Sequence, residues 1–246
     1  MGSRLKTTCI AMVTLAAGSV GGYMMPKEPQ NAVRLPLSEV IIERTPYVLA
    51  YDGRSRQARW VYEQLSSKDV VGDADRSKFH FCEDPLVPVS MRSTKEDYAG
   101  SGFDRGHMCP AADARSNPES MRETFYLSNV SPQCPHLNRG FWQKLENHVR
   151  DLALRHGSLN VYTGGLYLPK QEGDGKKFVK YQVIGKNDVA VPTHYFKVVF
   201  DNKGVPLESY ILPNEPISEG TALRDFMTSV EKVEKAAGIV FSNSTL

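Results

Sequence analysis

Cysteine is sparse in this sequence. The chain has four cysteines, Cys9, Cys82, Cys109 and Cys134, and no two of them form a Cys-x-x-Cys pair. Cys9 lies in an apolar N-terminal stretch, which leaves three for the folded body. An odd number without paired spacing argues against a small domain held together by a closed set of disulfides.

A surplus of charge of either sign is also missing. The 246 residues include 30 basic and 28 acidic side chains, for a formal net charge of +2. Residues 1–26 carry two basic residues and no acidic one, so the remainder is balanced. A balanced total neither indicates nor excludes a basic face for nucleic acid. The length suits one large domain or two small ones, and the 41% apolar and 24% charged content is typical of a soluble globular protein.

The N-terminal segment, residues 1–26, differs in composition from the rest of the chain. Its two basic residues precede an apolar run from Cys9 to Met25, and the first acidic residue is Glu28. A secretory signal, a mitochondrial presequence and a membrane anchor all fit this pattern, although the run is near the lower limit for crossing a bilayer. We therefore predict a targeting or anchor segment at 1–26, a linker leading into the domain at 27–46, and the domain itself at 47–246.

Hydrophobic patterns in the body predict strands toward both ends. Short runs rich in β-branched and aromatic residues, bounded by turn-forming residues, indicate a strand. A further strand is predicted at Tyr126–Val130, leading into the most informative stretch. The other predicted strands are Val48–Tyr51, Ala58–Tyr62, Val161–Thr163, Val179–Ile184, Tyr195–Phe200 and Leu207–Leu212.

Helical spacing replaces strand patterning in the middle of the chain and again near its end. Trp142, Leu145, Val149 and Leu152 recur at three- and four-residue steps, which predicts a helix from Asn138 to about His156 that stops at Gly157. A second helix is predicted near Ala222 to Ala237. Strands at both ends around a central helix favour a mixed α+β fold with an antiparallel sheet.

The sequence Asp104-Arg105-Gly106-His107 has the residue types that phosphodiester cleavage needs. A neutral His can accept a proton from water near physiological pH, and an Arg can hold a phosphate oxygen. In an extended backbone, residues two apart point the same way, so Arg105 and His107 should face one site. Gly106 between them has no Cβ, which we interpret as leaving room for a phosphate.

The predicted middle helix adds three polar side chains to this site. Asn138 and Glu146 are eight residues apart, roughly 80° around an ideal helix, and Arg150 follows one turn after Glu146. An Asn oxygen is a legitimate Mg²⁺ ligand, and Mg²⁺ keeps most of its waters and needs few protein oxygens.

Each of these residues also has an ordinary structural interpretation. Asn138 could cap the helix N-terminus. Glu146 and Arg150 could form a surface pair worth a few tenths of a kcal/mol. Only the combination of all of them at these spacings favours a catalytic site.

These motifs resemble the DNA/RNA non-specific endonuclease family, the group with the Asp-Arg-Gly-His motif, and most closely its mitochondrial endonuclease G branch. The resemblance runs from about Tyr47 to Ser242 and includes the long segments Thr124–Val130, Val179–Asn187 and Val191–Val198. It implies an α+β fold with a ββα-metal nuclease core. It also implies hydrolysis of DNA and RNA with little sequence specificity, a single Mg²⁺ for which Mn²⁺ can substitute, and a homodimer.

The resemblance further implies a role for each matching residue. His107 matches the general base, Asn138 the direct Mg²⁺ ligand, and Glu146 a residue that holds the waters of the metal. Arg105 and Asn129 match residues that orient the site and stabilise the transition state, and Arg150 matches a phosphate-contacting position. Another family arginine upstream of the motif has no assigned counterpart, although Arg76 and Lys78 lie in the right region. In the endonuclease G branch, residues 1–26 would be a leader to the mitochondrial intermembrane space, where they could also associate with a membrane.

Three alternatives remain at this point. His107, Cys109, Cys134 and His136 could form a zinc site, although one-residue spacing within each pair is unusually tight. The chain could be a catalytically inactive nucleic-acid-binding protein with a nuclease fold. It could also be a secreted non-specific nuclease.

Overall fold

Antiparallel sheets dominate the computed structural model, which describes residues 39–241. Helices pack beside the sheets, so the protein is of the predicted α+β class. The predictions for residues 1–26 lie outside the described range. The strands are β1 (Glu39–Glu43), β2 (Val48–Asp52), β3 (Gln57–Ser66), β4 (Asp104–His107), β5 (Val130–Gln133), β6 (Ser158–Leu166), β7 (Lys170–Gln171), β8 (Lys177–Phe178), β9 (Val183–Ile184), β10 (Val189–Ala190), β11 (His194–Asp201) and β12 (Pro206–Pro213).

The main sheet has six strands in the order β1-β2-β3-β6-β11-β12. Strand β1 lies inside the predicted linker 27–46 and pairs along its whole length with β2, so the sheet begins before residue 47. The remaining strands form three antiparallel pairs, β4 with β5, β7 with β8, and β9 with β10.

The helices are α1 (Lys95–Tyr98), α2 (Pro118–Thr124), α3 (Gln143–His156) and α4 (Val230–Ala237). Helix α3 packs against β3 and β6 through the predicted apolar stripe, of which Leu145, Val149 and Leu152 are buried. It ends at Gly157, whose φ of +82° suits a residue without a Cβ. Between residues 39 and 241, no helix has the length and apolar character needed to cross a membrane.

The predicted strand Tyr126–Val130 is wrong over most of its length. Tyr126 makes an isolated bridge to Cys82, Leu127–Asn129 is a turn of 3₁₀-helix, and continuous strand pairing begins at Val130. The cause is a tertiary contact, since the Asn129 side chain hydrogen-bonds the backbone of Cys109 and Thr124 and so bends the chain away from an extended path.

Three other predicted elements differ in extent. The middle helix begins as a π-helical turn, Leu137–Trp142, before α3. The C-terminal helix begins at Val230 rather than near Ala222, because Ser229 caps it by accepting a hydrogen bond from the Lys232 amide. Of the predicted strand Val179–Ile184, only Val183–Ile184 pairs, as β9.

Candidate active site

Strand β4, which pairs with β5, and helix α3 both line a cavity of about 400 Å³. Five of the six predicted site residues line this cavity, namely Arg105, His107, Asn138, Glu146 and Arg150. Arg105 and His107 reach it from alternate positions of β4, and the other three reach it from the π-helical turn and α3. The full lining is Arg76, Phe81, Asp104, Arg105, His107, Pro110, Ala111, Ala112, Asn138, Arg139, Gln143, Glu146 and Arg150.

The His107 ring is held between two aromatic side chains. Its centroid lies 5.0 Å from that of Phe81 and 5.1 Å from that of Phe125, the second contact being edge-on. Its Nε2 is buried and has no hydrogen-bond partner among the described residues. Burial, helped by the positive charge of Arg76, lowers the pKa of His107 to about 3. The imidazole is therefore neutral at physiological pH, which is the form that accepts a proton.

Asn129 lies beneath the cavity and does not line it. Its side chain is fully buried. The Oδ1 atom accepts a hydrogen bond from the Cys109 amide at 2.9 Å, and the Nδ2 donates to the carbonyls of Cys109 and Thr124. Asn129 thus fixes the backbone two residues after His107 from outside the cavity lining.

Asn138 is oriented by a carboxylate on the facing strand. Its Nδ2 donates to Oδ2 of Asp104 at 2.9 Å, and Arg139 also donates to Asp104 through Nε at 2.8 Å. Burial disfavours the charged form of Asp104, but these hydrogen bonds from Arg139 and Asn138 hold its pKa below the usual range. With its nitrogen committed to Asp104, Asn138 presents Oδ1 for another partner, and it is not the cap residue of either helical segment.

Glu146 and Arg150 do not form the ordinary surface pair. The guanidinium of Arg150 donates to Oδ1 of Asp113 and to Oδ1 of Asn147, each at 2.6 Å. Burial raises the pKa of Glu146 to about 7, against the opposing charges of Lys197 and Arg150. Glu146 therefore lies in a site where a cation would favour its charged form.

Gly106 has a different role from the one its position in the motif predicts. It is buried, and a Cβ placed on it would lie 1.9 Å from Oε1 of Gln133 on the neighbouring strand β5. Gln133 is itself fully buried. The glycine is therefore required by packing between β4 and β5 rather than by the approach of a phosphate.

Sequence reasoning assigned no role to two side chains that help build the cavity, although it noted that Arg76 lies in the region of an upstream family arginine. Arg76 lines it and acts on the pKa of His107, and Phe81 lies against both His107 and the guanidinium of Arg105, whose Cζ is 4.9 Å from the ring centroid. Arg76 lies in a polar stretch without periodicity, where only its residue type could have suggested a phosphate contact. Phe81 carries no sequence signal for such a role.

The cavity offers oxygen donors rather than a cluster of zinc ligands. Asn138 and Glu146 supply oxygen donors, which Mg²⁺ prefers. Within residues 39–241, no group of three or more His, Cys, Asp or Glu side chains could hold a metal ion. The alternative zinc set is not assembled, and the buried Cys109 thiol instead donates to Oε2 of Glu63 at 3.1 Å.

Comparison with known proteins agrees with this geometry. The family model described as DNA/RNA non-specific endonuclease matches residues 28–246, which include the whole cavity. Mitochondrial endonuclease G of Bos taurus is 48% identical over 210 residues, covering 84% of this chain and 70% of the relative. The mitochondrial nuclease EXOG of Homo sapiens is 41% identical over 203 residues, covering 80% of this chain and 55% of the relative. A crystal structure of an EndoG/EndoGI complex matches with a TM-score of 0.79 and 43% identity, over 83% of this chain and 86% of that one.

Proposed function

We propose that this chain, a member of the DNA/RNA non-specific endonuclease family, cuts nucleic acid at the cavity around His107. The protein is a metal-dependent nuclease that hydrolyses phosphodiester bonds of DNA and RNA with little sequence specificity. The observation that carries the assignment to this cavity is the neutral His107, which lines it together with several arginines. The test is whether replacing His107 removes cleavage while nucleic-acid binding remains.

His107 acts as the general base in this proposal. The neutral imidazole accepts the proton of the attacking water, and the aromatic contacts with Phe81 and Phe125 keep the ring in one orientation as the proton moves. General-base catalysis is typically worth about 10²–10⁴-fold in rate. Asn129 supports the base indirectly, through its hydrogen bonds to Cys109.

The metal is proposed to be Mg²⁺, with Mn²⁺ able to replace it. Asn138 would be the direct ligand through Oδ1, and Glu146 would hold metal-bound waters. When bound, the ion would neutralise charge on the phosphorane and on the departing oxygen. Asp104 supports the ligand by holding the amide nitrogen of Asn138.

Arg105 and Arg150 would bind the negative charge of the substrate. Arg105 stacks over Phe81 and lines the cavity, and its guanidinium would stabilise the charge that develops in the transition state. Arg150 lies on the α3 side of the same cavity and would contact a substrate phosphate.

Replacing Asn138 with alanine should raise the Mg²⁺ concentration at half-maximal activity by about tenfold or more, because the direct ligand is lost. The melting temperature should change little, since Asn138 is not a helix cap. A Mg²⁺ titration of plasmid cleavage, run with thermal melting, measures both effects. Gln143→Ala is the matched control, because Gln143 is an exposed amide that lines the same cavity from the adjoining helix α3. An active Asn138→Ala protein with the wild-type Mg²⁺ midpoint would remove Asn138 from the metal site.

The protein is proposed to be mitochondrial, in the intermembrane space. Two relatives, endonuclease G and EXOG, are mitochondrial by name, and residues 1–26 have a basic start, no acidic residue and an apolar run. A homodimer, and membrane association through residues 1–26, are further proposals about its partners.

Residues 1–26 fused to a fluorescent reporter should direct it to mitochondria, as seen by co-localisation with a mitochondrial dye. Arg4→Glu with Lys6→Glu is the control, since it removes the basic start but keeps the apolar run. A diffuse cytosolic signal from the unmodified fusion would contradict a targeting role, and secretion into the medium would favour a secreted nuclease.

A further inference from the structure

Asp113 forms the most buried ion pair that touches the cavity. It lies in the short 3₁₀-helix Ala111–Ala114, directly after β4, and its side chain is only 3% exposed. Its Oδ1 accepts a hydrogen bond from Nη1 of Arg150 at 2.6 Å, and the Arg150 side chain is 16% exposed. Two opposite charges buried together at this distance are strongly coupled, since removing one leaves the other unpaired.

The pair links two cavities. Arg150 lines the reaction cavity, whereas Asp113 lines a separate cavity of about 330 Å³ and is not part of the reaction cavity lining. Asp113 therefore contacts the guanidinium from outside the reaction cavity. Asn147 accepts a second hydrogen bond from Nη2, so the long Arg150 side chain is held at two points.

We propose that Asp113 is a positioning residue that holds Arg150 in the orientation in which it contacts a substrate phosphate. The inference rests on the proposed phosphate contact of Arg150. An arginine has five N–H donors in a rigid planar fork, and fixing two of them determines where the remaining donors point. A preorganised guanidinium also loses less conformational freedom when the phosphate binds.

The test measures binding of a short fluorescein-labelled DNA duplex to the full-length chain over a series of salt concentrations. All proteins carry His107→Ala, so that the DNA stays intact. Arg150→Ala should weaken binding about tenfold, as expected for one lost charge-assisted contact, and should reduce the slope of log affinity against log salt by about one. Asp113→Ala should reproduce both changes, and the double variant should be no weaker than Arg150→Ala alone.

Two further variants separate positioning from folding. Asp113→Asn keeps the acceptor oxygen without the charge, so its affinity should fall between those of wild type and Asp113→Ala, and it serves if the alanine variant does not fold. Asp69→Ala is the matched control, because Asp69 lines the same 330 Å³ cavity as Asp113 but hydrogen-bonds Ser66 instead of Arg150. It should lower the melting temperature without changing the salt slope.

The outcomes distinguish the two claims. If Arg150→Ala leaves affinity and salt slope unchanged, the phosphate contact is wrong and the positioning role is overturned with it. If Arg150→Ala weakens binding while Asp113→Ala and Asp113→Asn bind as wild type, only the positioning role is overturned. Additive losses in the double variant would also overturn it.

Discussion

His107→Ala should lower the rate of plasmid cleavage by about 10²–10⁴-fold, because the side chain that accepts the proton is gone. Binding of DNA should persist, since the arginines that line the cavity are unchanged. Free imidazole added to the assay should restore part of the rate by entering the space between Phe81 and Phe125.

The control for that variant is His156→Ala. His156 is exposed at the last residue of α3, outside the cavity lining, and its loss should leave cleavage at the wild-type rate. Cleavage by His107→Ala at a rate close to wild type would show that another group is the base. A full loss of DNA binding in His107→Ala would show that His107 holds the substrate rather than activating water.

Gly106→Ala should both destabilise the protein and reduce cleavage. The new Cβ would lie 1.9 Å from Oε1 and 2.6 Å from Cγ of Gln133, and Gln133 is fully buried among the neighbouring side chains. Overpacking of this kind typically costs about 1–3 kcal/mol of unfolding free energy. Because the clash pushes β4 away from β5, it also displaces Arg105 and His107. Thermal melting and plasmid cleavage measure the two effects.

Gly140→Ala is the matched control, since a Cβ on Gly140 meets no atom within 4 Å. Gly140 lies in the π-helical turn before α3, where alanine is a better helix former than glycine. The melting temperature of the Gly140→Ala protein should therefore stay the same or rise. A Gly106→Ala protein with the wild-type melting temperature and rate would contradict the packing explanation.

Much of the site follows from local sequence. Arg105 and His107 are two residues apart on one strand, and Asn138 and Arg150 lie about two turns before and one turn after Glu146, so simple periodicity brings each set to one side. The apolar stripe of α3 was predictable for the same reason, because the residues that bury it repeat at helical spacing. The π-helical turn at the start of this region did not prevent Asn138 from reaching the cavity.

The rest depends on contacts between distant parts of the chain. Asn129 sits in a turn, rather than in the predicted strand, because it bonds the backbone of Cys109, twenty residues earlier. Arg76 and Phe81 come from an irregular segment with no periodic pattern, and only packing brings them to His107. The sequence could not reveal the partner of Arg150 either, because Asp113 is 37 residues away and no spacing rule connects the two.

Cleavage of supercoiled plasmid by the wild-type protein, with Mg²⁺ and then with excess EDTA, tests the central claim most directly. Purified His107→Ala is assayed in parallel, so that a contaminating nuclease would be detected as residual cutting. The account predicts nicked and linear products with Mg²⁺, intact plasmid in EDTA, and recovery of cleavage when Mg²⁺ is restored. Full cleavage in excess EDTA by the wild-type protein, with none by His107→Ala, would contradict metal-dependent hydrolysis at this cavity.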